Sequence, residues 1–380
     1  MAAVETADWA LDGFHDDPAR SHTLPGRFYY DPGIFADETA AIFHRSWQYA
    51  GHVSRLPEPG DYAVREIGDE SVILLRDAAG ELRGFYNVCQ HRGHRLLEGE
   101  GHLKKIITCP YHAWAYDLSG ALRTARGSER VHDFDKAKVC LKPVRVEALC
   151  GFLYFNLDPE APPLAEQSGR FEQAFRSFWA APENLTLAYR KEIDVKANWK
   201  NIIENYSECY HCPIAHKSLA TTAFDMDSYR IEVHPFYHQH TSRDAGDGQG
   251  YEYEADSGPR GHEFGGWYLW PNVCFEFYPG GRLTVLHNLP LAPERTLQLI
   301  EWYLPEAAPT AIEREIIAFV DEVRLEDIPI VESVQRGLHS RGYGQGRFIV
   351  DEQNPSLSEH AVHAFQGKVL AALGAHGAAD

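Results

Sequence analysis

Cys89-Gln90-His91-Arg92-Gly93 and Cys109-Pro110-Tyr111-His112-Ala113-Trp114 decide how this chain is read. Each stretch supplies one thiolate and one imidazole, and Cys109 follows His91 by eighteen residues. Two loops at that separation can close on one inorganic centre. Tetrahedral zinc is the first candidate, but structural zinc hairpins usually leave about two to four residues between paired ligands. Only Gln90 separates Cys89 from His91. A 2Fe-2S pair with two Cys on one iron and two His on the other fits both ligand types and spacing. Its imidazoles raise the reduction potential above that of an all-cysteine cluster.

Around these loops the pattern is antiparallel. Tyr62–Ile67 and Ser71–Arg76 read as strands joined by Gly68-Asp69-Glu70, and short strands continue to about Leu157. Upstream, Glu38–Ala50 reads as an amphipathic helix with Phe43 and Trp47 inward. The Pro-rich run Asp158–Pro163 marks the boundary to a second region. There, Ser168–Trp179 and Trp199–Tyr210 carry a helical period, Leu185–Val195 is extended, and strands are expected at Asn272–Tyr278, Leu283–Leu289 and Thr296–Leu304. Pro309–Gly337 is the longest helical stretch, and Arg243–Gly265, rich in Gly, Asp and His, reads as a long loop.

At 380 residues with 44% hydrophobic side chains the chain can bury two cores. A net charge of -19 disfavours nucleic acid as a partner. Against that background Arg92, Arg95, Lys104, Lys105, Arg123, Arg126 and Arg130 gather near the two loops. They read either as a steering face for an acidic redox partner or as ordinary surface charge. No run approaches the roughly eighteen apolar residues of a spanning helix, and the N-terminal stretch has no apolar signal region, so a cytoplasmic protein without membrane contact is expected. Beyond Cys89 and Cys109, the five cysteines Cys140, Cys150, Cys209, Cys212 and Cys274 show no disulfide-framework spacing and are expected to be mostly buried thiols.

A second metal site is suggested by Glu208-Cys209-Tyr210-His211-Cys212-Pro213-Ile214-Ala215-His216. Mononuclear iron oxygenases need two imidazoles and a carboxylate on one side of the metal, with open positions opposite. Pro213 is expected to end the preceding helix just past His211, letting His216 turn back to the same ion. Two rivals stand beside this: a zinc knot of Cys209, His211, Cys212 and His216, or histidines satisfied in the core. For the carboxylate, Glu326, Asp327 and Glu332 on the late helix compete, and nothing local chooses among them.

The two loops resemble the CxHRG and CPYHGW signatures of Rieske proteins, with Ala113 where glycine is usual, and the His211 segment resembles the metal-binding stretch of the Rieske non-haem iron oxygenases. Taken together the resemblance spans roughly residues 40–370 of the chain. It implies an α+β fold: a small antiparallel β Rieske domain over 45–160, and a helix-grip (START-like) catalytic domain over 161–380 whose curved antiparallel sheet wraps a long helix. Residues 1–44 are expected to pack on the catalytic domain. It also implies a Rieske 2Fe-2S cluster on Cys89, His91, Cys109 and His112, and a mononuclear Fe(II) on His211, His216 and Asp327. Glu208 takes the place of an acid that bridges to a neighbouring subunit's cluster, which implies a homotrimer.

The activity so implied is that of an oxygenase component that receives electrons from a separate NAD(P)H-dependent flavin reductase, with or without its own ferredoxin, and activates O2 to oxidise a small molecule. Glu208 and the late helix look most like the subgroup acting on quaternary ammonium compounds. Trp267, Trp270, Phe275 and Phe277 offer aromatic faces for an alkylammonium, although the alternation in Phe275-Glu276-Phe277 is equally that of a half-buried strand. Hydroxylation of an aromatic acid or ring is the alternative. A non-catalytic Rieske carrier is the third reading, opposed by His211, His216 and Asp327.

Overall fold

The computed structural model describes residues 11, 13–219, 224–243, 260–280, 282–351 and 353–374. The chain forms two compact units. One comprises Phe43–Glu166 with Ala181–Asn184; the other comprises the described residues up to Ile42, Gln167–Ala180, and those from Leu185 onward.

The smaller unit is antiparallel β throughout. Its strands are β1 (Gln48–His52), β2 (Asp61–Ile67), β3 (Glu70–Arg76), β4 (Leu82–Tyr86), β5 (Glu100–His102), β6 (Ile106–Thr108), β7 (Ala115–Asp117), β8 (Leu122–Thr124), β9 (Pro143–Leu149) and β10 (Phe152–Asn156). They form a seven-stranded sheet in the order β1-β10-β9-β4-β3-β2-β5 and a three-stranded sheet β6-β7-β8. Val72, Ile73, Leu74 and Leu75 are all buried because β3 is covered on both faces, as an unbroken aliphatic run requires. Gly68, at φ 56°, makes the turn between β2 and β3. The helix expected over Glu38–Ala50 is corrected: helical turns end at Phe43, and Gln48–His52 pairs with β10. Cross-strand bonding there overrides a helical period of apolar residues, while Phe43 and Trp47 are still buried.

The larger unit is built on a second seven-stranded antiparallel sheet. Its strands are β11 (Thr186–Val195), β12 (Arg230–Val233), β13 (Tyr237–Arg243), β14 (Glu263–Leu269), β15 (Val273–Tyr278), β16 (Arg282–Ala292) and β17 (Arg295–Leu304), in the order β11-β17-β16-β15-β14-β13-β12. Among the described residues the α-helices are α1 (Pro32–Glu38), α2 (Leu164–Gln167), α3 (Phe171–Arg176), α4 (Trp199–Tyr206), α5 (Cys212–Ala215), α6 (Ala311–Leu338) and α7 (His360–Ala372). A capping box starts α6: Thr310 Oγ1 accepts from Glu313 N, and Glu313 Oε2 accepts from Thr310 N. Its apolar stripe, Ile316, Ile317, Val320 and Val323, is buried, and polar ties bind it to the sheet, including Tyr189 OH to Asp321 and Arg324 to Glu276.

Much of the long loop expected over 243–265 lies outside the described residues, but Glu263, Phe264 and Gly265 belong to β14. Gly265, one of the glycines that suggested a loop, serves packing instead. A Cβ on Gly265 would meet the Phe178 ring at 2.5 Å, so only glycine lets ring and strand approach. Among the described residues, no helix is long and apolar enough to cross a membrane.

Candidate metal centres

In the smaller unit the two Cys/His loops share one backbone design. Cys89 N donates to His94 O and Gly93 N to Cys89 O; Cys109 N donates to Trp114 O and Ala113 N to Cys109 O. The same two offsets from each cysteine close both turns, and the fourth residue after each is left-handed: Gly93 at φ 71° and Ala113 at φ 57°. Ala113 therefore keeps the glycine conformation at a steric cost of about 1 kcal/mol. Cys89 and Cys109 are buried, whereas His91 and His112 are exposed. Their rings lie 4.8 Å apart, and His91 stacks on Trp114 at 4.7 Å. Tyr116 OH accepts from Gln90 N and lies 3.3 Å from Cys89 Sγ. Two inner sulfurs and two outer imidazoles suit a centre whose histidine-bound iron faces the electron partner.

In the larger unit, Asn198 caps α4 by accepting from Lys200 N. The helix ends at Tyr206, earlier than expected, and the chain turns through Ser207–His211 into α5. Pro213 does not stop the first helix. It occupies the first turn of α5, where a missing N–H costs nothing. Cys209 and Cys212, whose Cα atoms are 4.9 Å apart across this turn, form a disulfide, so neither is the thiol expected and their sulfurs are not zinc ligands.

The turn brings His211 and His216 together with Asp327 of α6. Asp327 Oδ1 is 2.9 Å from His216 Nε2 and 3.5 Å from His211 Nε2, and the two Nε2 atoms are 3.2 Å apart. One ligand atom from each of the three lies within 4.8 Å of the others. The opposite nitrogens are held by carboxylates: His211 Nδ1 by Glu208 Oε1 at 2.5 Å, and His216 Nδ1 by Glu326 Oε2 at 2.8 Å. Each carboxylate accepts Nδ1–H, which turns both Nε2 lone pairs toward the same point as Asp327 Oδ1. Three converging electron pairs repel unless a cation sits among them, and two imidazoles with one carboxylate is the donor set of non-haem Fe(II). Burial works to lower the pKa of His216, but Asp327 and Glu326 outweigh it and raise it. A metal ion bound by these three residues would take the place of that proton.

The late-helix acids thus divide their work. Glu326, next to Asp327, orients His216, while Glu332 Oε1 accepts from Lys196 N. Asn205 Nδ2 donates to Asp327 Oδ1, a contact that sequence reading missed.

A cavity opens beside the triad, and here an expectation is corrected. Trp267, Trp270, Phe275 and Phe277 do not line it. Trp267, Phe275 and Phe277 pack on the other side of the sheet against Phe171, Phe175 and Phe178, and Trp270 packs near Phe365. Side chains alternate along a strand, so the other parity of β15, Cys274, Glu276 and Tyr278, faces the cavity. Tyr206, Tyr229 and Phe264 add aromatic walls, and His240 and Arg324 add polar ones. Burial raises the pKa of Glu276 although Arg324 opposes it. The parity was legible in the sequence; the covered face was not.

Residues 46–135 match the Rieske [2Fe-2S] domain family and residues 182–375 the ring hydroxylating alpha subunit (catalytic domain) family. The carnitine monooxygenase oxygenase subunit of Acinetobacter baumannii is 38% identical over 371 residues, covering 96% of this chain and 98% of that protein. The chloroplastic choline monooxygenase of Beta vulgaris is 30% identical over 88% of this chain and 74% of its own length. A crystal structure of the quaternary ammonium Rieske monooxygenase CntA in complex with L-carnitine superposes with a TM-score of 0.84 at 37% identity, covering 95% of this chain and 97% of that one. With a histidine-bearing cluster loop pair in one unit, an imidazole–carboxylate triad in the other, and relatives along nearly its whole length, this chain belongs to the Rieske non-haem iron oxygenases as a catalytic α-subunit that uses a Rieske 2Fe-2S cluster and a mononuclear iron.

Proposed function

We propose that this chain is the oxygenase component of a system that oxidises a quaternary ammonium compound of the carnitine, betaine or choline type. Cys89, His91, Cys109 and His112 hold the cluster, and His211, His216 and Asp327 hold the mononuclear iron. When bound, the cluster supplies electrons and the iron supplies reductive activation of O2. The protein's own residues do the rest: Glu208 and Glu326 set the imidazole orientations, and buried side chains keep bulk water from the cavity.

The substrate class rests on the cavity wall. A quaternary ammonium has no N–H to donate, so it is held by aromatic faces, each worth ~0.5–2 kcal/mol, and by negative charge. Tyr206, Tyr229, Phe264 and Tyr278 supply the faces, and among them the buried Glu276, paired with Arg324, keeps a net positive charge off the wall. The relatives matched over most of this chain are named for carnitine and choline oxidation.

Glu208 is further assigned the bridge to the cluster of a neighbouring subunit, giving a cyclic homotrimer; a solved relative at 36% identity is described in terms of inter-subunit electron transfer. Electrons come from a separate NAD(P)H-dependent flavin reductase, with or without a ferredoxin, in the cytoplasm where that reductant is made. The seven basic residues near the cluster loops are all exposed, as a docking face for an acidic partner would be.

The test supplies holoenzyme with a surrogate reductase and NADH, and follows O2 uptake and product with carnitine, γ-butyrobetaine, glycine betaine, choline and aromatic acids. Substrate-dependent uptake with an oxidised or demethylated ammonium product is expected. Uptake with aromatic acids alone would move the substrate class to aromatic rings. Iron analysis should give about three irons per chain; about two would leave a carrier without a catalytic iron.

A further inference from the structure

His240 lies on β13, 1% exposed, and lines the same cavity as the triad. Its Nδ1 is 2.8 Å from the hydroxyl of Tyr229, which is also buried. Its Nε2 is buried and has no hydrogen-bond partner among the described residues. These contacts select a tautomer. Burial, with Glu208 and Glu276 nearby, drives the Tyr229 phenol upward, so it keeps its proton. Burial also pushes His240 down to about 3, so the ring is neutral and carries a single N–H. If Nδ1 held that hydrogen, two donors would meet at 2.8 Å or the phenol hydrogen would be stranded. With Tyr229 donating to Nδ1, the hydrogen sits on Nε2, as a buried donor with no acceptor among the described residues.

Such a donor costs about 1–3 kcal/mol unless something accepts from it. An alkylammonium cannot, because its nitrogen has no lone pair and its methyl groups accept nothing. The acceptor must be elsewhere on the ligand. Arg324, the cavity's cation, already has its charge met: Nη2 donates to Glu276, the guanidinium lies 5.7 Å over Trp302, and Nη1, though it makes no hydrogen bond, is 3.7 Å from Asp321. Two carboxylates beside it oppose the approach of a third.

We propose that His240, fixed by Tyr229, is a specificity-determining residue whose Nε2–H receives the carboxylate of a zwitterionic substrate at the end remote from its ammonium. This rests on the quaternary ammonium reading above and narrows it to betaines. A carboxylate is favoured over a hydroxyl because hydrogen bonds to charged groups contribute more than neutral ones.

The test compares holoenzyme kinetics on γ-butyrobetaine and on butyltrimethylammonium, which has the same cationic end and no carboxylate, with choline as the hydroxyl arm. In His240→Phe, kcat/KM for γ-butyrobetaine should fall about 10- to 100-fold, mostly through KM, while that for butyltrimethylammonium stays within about 3-fold. Tyr229→Phe frees the tautomer and should give a smaller loss of the same selectivity; it decides the matter if His240→Phe does not fold. Equal losses on both substrates, or none, would overturn the assignment and leave the substrate class intact. A selective loss on choline would reassign the acceptor to a hydroxyl and overturn the carboxylate. A wild-type enzyme that turns over no quaternary ammonium compound overturns the class and this assignment together.

Discussion

Replacing Glu208 by Gln changes one atom and forces a choice on the metal-binding turn. In the native turn Oε1 accepts from His211 Nδ1 at 2.5 Å while Oε2 accepts from His211 N at 3.1 Å. Both oxygens are acceptors and both partners are donors, so one carboxylate locks the ring and its own backbone at once. A carboxamide has one oxygen. If it faces Nδ1–H, its NH2 group confronts the His211 amide; if reversed, it confronts the ring. One bond is lost either way, and because the Glu208 side chain is only 12% exposed, water does not fully replace it. A hydrogen bond to a charged group contributes about 1.5–3 kcal/mol, so a loss near 2 kcal/mol predicts iron binding weakened about 30-fold. That lies within the ~10–100-fold range for residues that orient metal ligands.

The assay titrates Fe(II) into the metal-depleted catalytic site against a competing chelator, with the visible spectrum of the cluster as an internal control. Iron affinity within 2-fold of wild type, with the cluster intact, would refute the orienting role. The bridge is read separately. At saturating iron, single-turnover and steady-state rates should remain depressed in Glu208→Gln if the carboxylate carries inter-subunit transfer, and normal rates with both metals bound would remove that role.

Asp327→Ala should abolish iron retention, whereas Glu326→Gln, which loosens only His216, should weaken it about 10-fold; equal effects would contradict the division of work between these neighbours. Ala113→Gly relieves a left-handed alanine at φ 57° and should stabilise the cluster-bearing unit by about 1 kcal/mol, read as a later loss of cluster colour on heating. Glu204, half-buried and bonded to Tyr29 and Gln366, is raised by desolvation from 4.5 to about 7. Its unfolded form releases the proton first, so wild-type stability falls as pH rises through that interval, by about 3 kcal/mol. Glu204→Gln removes this slope, and parallel denaturation curves for the two proteins between pH 4.5 and 7 would disprove it. Phe277→Leu should cost about 1 kcal/mol of stability and leave KM for substrate unchanged, because that ring packs behind the sheet; a shifted KM would return it to the pocket.

The local chemistry was readable from the chain alone. Cys89, His91, Cys109 and His112 sit in two tight loops, and His211 and His216 are five residues apart, so short-range spacing suffices to pair them. The alternation of β15 was readable too, since successive side chains must leave a strand on opposite faces. Three things waited for the fold. Which of Glu326, Asp327 and Glu332 meets the histidines depends on how α6 is rotated against a turn more than a hundred residues earlier, and neighbouring acids on a helix differ only in direction. Which parity of β15 faces the cavity depends on what covers the other side, and α3 with its phenylalanines supplied that cover. The His240–Tyr229 pair carries no motif: a lone histidine and a lone tyrosine become one aimed donor only when the β12–β13 hairpin and burial leave the Nε2 hydrogen nothing among the described residues to meet.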